Sequence, residues 1–105
     1  RESTKFFQVL YMQGTEGEEF TGFISGMSEW GIYVELEESH CEGMVRLRDI
    51  SGDYFMFDED NFQVIGHNTR QKLNLGDKVV IKVKEADLVR KRLDFDLVGI
   101  YEEES

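Results

Sequence analysis

The sequence predicts an all-β fold, a five-stranded antiparallel barrel, on three observations. From Glu19 onward apolar residues recur at every second position, the spacing that sends alternate side chains to opposite faces of a strand. Short polar or glycine-bearing turns separate these runs. After the third run comes a stretch too long to be bare loop in a compact domain, so a structured insertion is expected between the third and fourth strands.

The elements follow in order. Arg1 to about Gln13 carries Phe6, Phe7, Val9, Leu10 and Met12 at helix-compatible spacing before Gly14-Thr15-Glu16-Gly17 breaks the pattern. A short N-terminal helix and a linker are expected, with a frayed leader as the alternative. The first strand, about 19–28, holds Gly22 and Gly26, where a strongly curled strand needs residues without side chains. In the second, 31–37, Ile32, Val34 and Leu36 share one face and Tyr33 and Glu35 the other. Glu38-Ser39-His40 turns into the third, 42–48, where Val45 and Leu47 oppose Arg46 and Arg48.

The insertion, roughly Ser51 to Leu75, contains Tyr54, Phe55, Met56 and Phe57, an acidic turn at Asp58-Glu59-Asp60-Asn61, then Phe62, Val64 and Ile65. A small hairpin or helical turn that covers an open end of the barrel is expected. In the fourth strand, 77–85, Val79, Ile81 and Val83 oppose Val80, Lys82 and Lys84; in the fifth, 92–98, Leu93, Phe95 and Leu97 oppose Asp94 and Asp96. The organisation expected is a helix or leader at 1–13, one barrel domain at 14–100 and a tail at 101–105.

A chain of 105 residues and 12.3 kDa, 40% hydrophobic, builds one modest core. It lacks an initiating methionine, and Arg1-Glu2-Ser3-Thr4-Lys5 reads like the inside of a charged helix, so an excised fragment is expected. No apolar run approaches the roughly 20 residues that cross a bilayer, and Cys41 is the single cysteine. A soluble, cytoplasmic, monomeric fragment without membrane contact is the expectation. The net charge of −10 opposes nucleic-acid binding if taken as one number. Its distribution weakens that objection, because Gly14 to Asp60 holds thirteen acids and two bases, whereas Asn61 to Tyr101 holds five acids and eight bases.

Five curled strands with a long connection after the third describe an OB-type barrel, whose second and third strands commonly present a face to single-stranded nucleic acid. Trp30 and Tyr33 are expected close together on that exposed side, Arg46 and Arg48 on the neighbouring strand, and Lys82, Lys84 and Arg92 on the last two. Aromatic rings for bases and cations for phosphates are the two parts such binding needs. The structural alternative is a half-buried Trp30, an ordinary strand aromatic at Tyr33 and a solvated basic face.

Gly22-Phe23-Ile24-Ser25-Gly26-Met27-Ser28-Glu29-Trp30-Gly31-Ile32-Tyr33-Val34 and Glu42-Gly43-Met44-Val45-Arg46-Leu47-Arg48-Asp49-Ile50 resemble the RNA-binding repeat first recognised in ribosomal protein S-one. Leu75-Gly76-Asp77-Lys78-Val79 and Asp87 to Leu97 extend the resemblance over residues 19 to 98. The insertion Asp53-Tyr54-Phe55-Met56-Phe57-Asp58-Glu59, the run Val64-Ile65-Gly66 and the ending Leu93-Asp94-Phe95 are similar to the version found in the ribonuclease R and ribonuclease II family. That resemblance implies an accessory domain of a 3′-to-5′ exoribonuclease, with catalytic carboxylates and magnesium in a preceding nuclease domain of which this fragment holds only the end, at 1–13. The fragment itself is then expected to bind single-stranded RNA, to adjoin that nuclease domain, and to carry neither catalysis nor a cofactor of its own.

The resemblance places RNA-contacting positions at Trp30, Tyr33, Arg46, Asp87 and Arg92. Arg46 stands where most of the wider family has histidine, and the Asp87 turn is one residue longer than the common form. Asp87 is expected to orient neighbours, since phosphate would repel it. The competing functional reading is a protein-interaction or autoinhibitory module that uses the acidic surface.

Other signals are not read as sites. His40 and Cys41 are sequence neighbours whose side chains should point apart, with no second pair at ligand spacing. Consecutive acids at Asp58-Glu59-Asp60 are expected to be solvated and Asp94 and Asp96 to point away from the core on one strand, so neither set is read as magnesium ligands or as a general acid and base pair.

Overall fold

The structure is a computed structural model that describes residues 2–101, with side chains from Lys5 onward. Arg1 and the expected tail after Tyr101 lie outside the described residues. In chain order the elements are helix α1 (Glu2–Met12), strands β1 (Glu19–Met27), β2 (Gly31–Leu36) and β3 (Glu42–Arg46), a single 3-10 turn (Leu47–Asp49), then β4 (Phe55–Asp58), β5 (Gln63–Gly66), β6 (Lys72–Asn74), β7 (Lys78–Asp87) and β8 (Arg92–Ile100).

Five strands close into a barrel in the order β1-β2-β3-β8-β7. The alternation sets its inside: Ile32, Val34, Val45, Val79, Ile81, Val83, Leu93 and Phe95 are buried together. One expectation needs correction, because the barrel is mixed rather than wholly antiparallel. β3 meets β8 in parallel, at Met44 with Asp94 and Val45 with Phe95. A five-stranded sheet with this connectivity brings its third and last strands together pointing the same way, and parallel pairing leaves no turn in the sequence to announce it.

That seam is short, and α1 completes it. Beyond Met44 the backbone of Glu42 has no partner on β8; its N–H donates to Gln8 Oε1 at 3.1 Å and its carbonyl accepts from the Lys5 ammonium. Buried backbone groups need such partners, so the helix is a structural part of the domain and not a frayed leader. Val9 and Met12, one turn apart, bury the inner face of α1 in the core. Burial pushes the Lys5 ammonium down, against the opposing influence of Glu42, Cys41 and Asp94.

The insertion is more ordered than a hairpin or helical turn. β4, β5 and β6 form a separate antiparallel sheet in which Phe57 pairs with Val64 and Val64 with Leu73. Val64 and Leu73 are buried in the common core, with Phe55 and Phe57 packed against it. The expected cover is thus only partial, because Tyr54, Met56 and Phe62 stay exposed.

Two glycines mark where walls touch. A side chain at Gly31 would meet the Val45 carbonyl oxygen at 2.3 Å, and one at Gly43 would meet the Phe95 ring at 2.6 Å. Both contacts are tighter than any Cβ tolerates, so these positions let β2 and β3 curl onto their neighbours.

Candidate nucleic-acid interface

The β1–β2 turn is held from both sides while its side chain stays in solvent. Ser28 N–H donates to the Gly31 carbonyl at 2.8 Å, Trp30 N–H donates to Ser28 Oγ at 3.2 Å, and the Trp30 carbonyl accepts from Leu47 N–H at 3.1 Å. The indole of Trp30 is 71% exposed. A fixed backbone under an exposed ring leaves only the side-chain torsions to be ordered on stacking.

Beside it lies an open groove of about 960 Å³, with Trp30, Arg46, Arg48 and Arg92 among the residues lining it. Arg46 faces outward from β3, with its Nη2 3.9 Å from Asp94 Oδ2. Arg92 begins β8, opposite Asp87 in the β7–β8 register. Arg48 does not emerge from β3 as the alternation predicted. β2 begins at Gly31, opposite Arg46, so β3 loses its partner there and the chain turns into the 3-10 segment. Arg48 reaches the groove from that turn.

Other expected residues fall elsewhere. Tyr33, 36% exposed, lies on the outer face of β2 with its ring over Gly26, and pairs with the groove residue Met44. It borders the groove without lining it, so Trp30 and Tyr33 do not share one pocket. Lys82 sits on β7 opposite Glu19 of β1 and Asp96 of β8, away from the groove, while Lys84 pairs with Asp49 at 3.2 Å. Asp87 Oδ1 accepts from Arg90 N–H at 3.1 Å, and its other oxygen is 3.9 Å from Arg90 Nε, an arrangement that orders the turn before Arg92.

Asp94, expected to point away from the core, is shielded from solvent all the same. It is 6% exposed, and among the described residues its Oδ1 has no hydrogen-bond partner. α1 packs against β8, and Arg46 lies over the carboxylate. His40 and Cys41 do diverge: His40 Nδ1 is 3.0 Å from Glu35 Oε2, and the buried Cys41 thiol faces the Gln8 carbonyl.

The second side of the groove escaped sequence reasoning. Tyr54, Phe55 and Met56 of the insertion line it. Asp53 fixes this segment, because its carboxylate accepts from Tyr54 N–H at 2.6 Å, Thr69 N–H at 2.7 Å, Thr69 Oγ1 at 2.7 Å and Asn68 N–H at 3.0 Å. These donors, led by Thr69 N–H, hold the Asp53 carboxyl well below the usual carboxylate range. A depressed pKa contributes stability above the unfolded value, about pH 4, and that contribution fades as pH falls further. Asp53→Ala is expected to speed amide exchange at Asn68 and Thr69 while the barrel strands keep their protection; equal acceleration throughout the barrel would contradict a local clamp.

Comparisons with known proteins agree with this geometry. The family model described as S1 RNA binding domain matches residues 14–97. Ribonuclease R of Aquifex aeolicus is 36% identical over 97 residues, covering 92% of this chain and 14% of that protein. Ribonuclease R of Escherichia coli is 26% identical over 99 residues, covering 94% and 12%. Among solved structures, the apo form of Mycoplasma genitalium RNase R superimposes with a TM-score of 0.88 at 26% identity, over 93% of this chain and 15% of that one. The same protein in complex with ribose-methylated single-stranded RNA matches equally well. The chain therefore spans 12–15% of the length of these relatives.

Proposed function

The chain belongs to the S1 RNA binding domain family, and from that premise we propose that it binds single-stranded RNA in the groove of Trp30, Arg46, Arg48 and Arg92. The protein it serves is, in this reading, a ribonuclease R-like 3′-to-5′ exoribonuclease, with hydrolysis and magnesium confined to a nuclease domain elsewhere. The observation that carries the reading is the juxtaposition of an anchored, exposed indole with three guanidinium groups in one open groove. A base stacks on Trp30, worth about 1–3 kcal/mol, while the arginines follow the phosphates. Asp87 acts at one remove by ordering the turn that presents Arg92. Tyr33 extends the aromatic surface past the groove's edge, and Lys82 contributes only long-range attraction.

Fluorescence anisotropy of a labelled oligoadenylate tests this. The slope of log K against log salt should be about −2, since three phosphate contacts on a single strand each release about 0.7 counterion. A slope near zero, or preference for duplex, would count against the groove.

A second reading has its own observation. A cavity of about 620 Å³ has apolar Phe20 and Leu36 among its lining and acids Glu18, Glu19 and Glu38 beside them. This surface suits a basic protein partner. Salt-sensitive binding of a lysine-rich peptide with no affinity for RNA would favour it.

A further inference from the structure

Resting on the RNA-binding reading of the groove, we infer that the insertion supplies a second wall, with Tyr54 as a base-stacking platform in the same groove as the arginines. Tyr54 lies outside the residues that the family resemblance marks for RNA contact. It is 75% exposed and lines the same groove as Trp30, Arg46, Arg48 and Arg92. A large aromatic ring that the fold leaves this open contributes little to the core.

Its backbone is nonetheless held at both its N–H and its carbonyl. Tyr54 N–H donates to Asp53 Oδ1 at 2.6 Å, its carbonyl accepts from His67 N–H at 2.8 Å, and Phe55 next to it packs on the core. A ring on a fixed backbone has only its side-chain torsions left to order when it stacks, which favours a base platform.

The lining carries both signs of charge. Arg46, Arg48 and Arg92 attract phosphates, whereas Asp53 and Glu29 repel them, so the strand's backbone is drawn to the arginines. Bases therefore turn toward Trp30 and Tyr54, and the backbone of the strand toward the arginines. The four donors on Asp53 leave it a structural anion rather than a group open to ligand.

Tyr54→Ala and Tyr54→Phe, measured by anisotropy with an oligoadenylate and with an abasic oligomer of the same length, test the inference. Tyr54→Ala should weaken oligoadenylate binding about fivefold to a hundredfold, and Tyr54→Phe should bind within about twofold of the parent. Neither change should alter binding of the abasic oligomer or the melting temperature. Unchanged oligoadenylate affinity in Tyr54→Ala, with weakened binding in Trp30→Ala, overturns the second wall and leaves the groove standing. Equal losses in Tyr54→Phe and Tyr54→Ala overturn stacking. If Trp30→Ala and Arg48→Ala also leave affinity intact, the groove reading itself fails, and the inference with it.

Discussion

Phe95→Ala is expected to lower the stability of the domain by about 3–5 kcal/mol, the range found when a fully buried phenylalanine is truncated. Phe95 is 1% exposed and is the largest side chain fully inside the barrel. It also sits where closure is most dependent on packing. The parallel seam between β3 and β8 has only two register pairs, one of them Val45 with Phe95, and on its other side Phe95 pairs with Val83. Its ring fills the space over Gly43 that a Cβ would need. For a domain near 100 residues, each kcal/mol shifts the melting temperature by about 4–8 °C, so thermal unfolding should move down by more than about 10 °C.

Gly43→Ala should be destabilising for the same reason read from the opposite wall, since it drives a methyl group into the Phe95 ring. Combining Gly43→Ala with Phe95→Leu should cost less than the sum of the two single changes, because the smaller side chain vacates the space. Additive losses in urea unfolding would mean that the two residues do not share the contact described.

Trp30→Ala is expected to do the reverse: weaken single-stranded RNA binding by about fivefold to a hundredfold while leaving the melting temperature within about 2 °C. Most of the indole lies in solvent, and what holds the turn is the backbone, through Ser28 and Leu47. Arg48→Ala should likewise spare stability and reduce the salt slope by about 0.7. Arg46→Ala is a less clean probe. It removes the cation 3.9 Å from Asp94 and leaves this buried carboxylate with one positive neighbour fewer, so it should weaken both folding and binding. An Arg46→Ala protein as stable as its parent would show that Asp94 does not depend on that guanidinium.

The contrast between these residues explains what could be seen in the sequence. Ile32, Val34, Val45, Val79, Ile81 and Val83 announced the barrel because period-two alternation persists over strands long enough to carry it. Trp30, Arg46 and Arg92 could be placed on its outside by the same parity. β4, β5 and β6 are four, four and three residues long, too short for alternation to separate strand from turn. The sequence pattern therefore places Tyr54 in a cover over the barrel and not in the groove. The burial of Asp94 was hidden for a different reason. Parity gives the side of a strand correctly, but whether that side is wet depends on α1 and Arg46, which arrive from distant parts of the chain. Arg48 followed parity only until its partner strand ended.

Charge shows the same division between local and assembled information. A net charge of −10 describes the whole chain, yet the fold gathers Arg46, Arg48 and Arg92 from β3, the 3-10 turn and β8 into one groove, with Glu18, Glu19 and Glu38 around a different cavity. Attraction of an RNA strand depends on the local field as well as on the sum. The acidic remainder should still hold the affinity below that of a basic domain, and attachment to a nuclease would compensate by raising the effective concentration of RNA.

The most direct test of this account is an intrinsic-fluorescence titration with a short oligoadenylate at low and moderate salt, because Trp30 is the chain's single tryptophan and its emission reports on one place. Stacking on Trp30 should give saturable quenching that weakens as salt rises and disappears when the abasic oligomer replaces the oligoadenylate. Emission that stays unchanged up to millimolar RNA would mean that no base stacks on Trp30, and the groove would not be the RNA site.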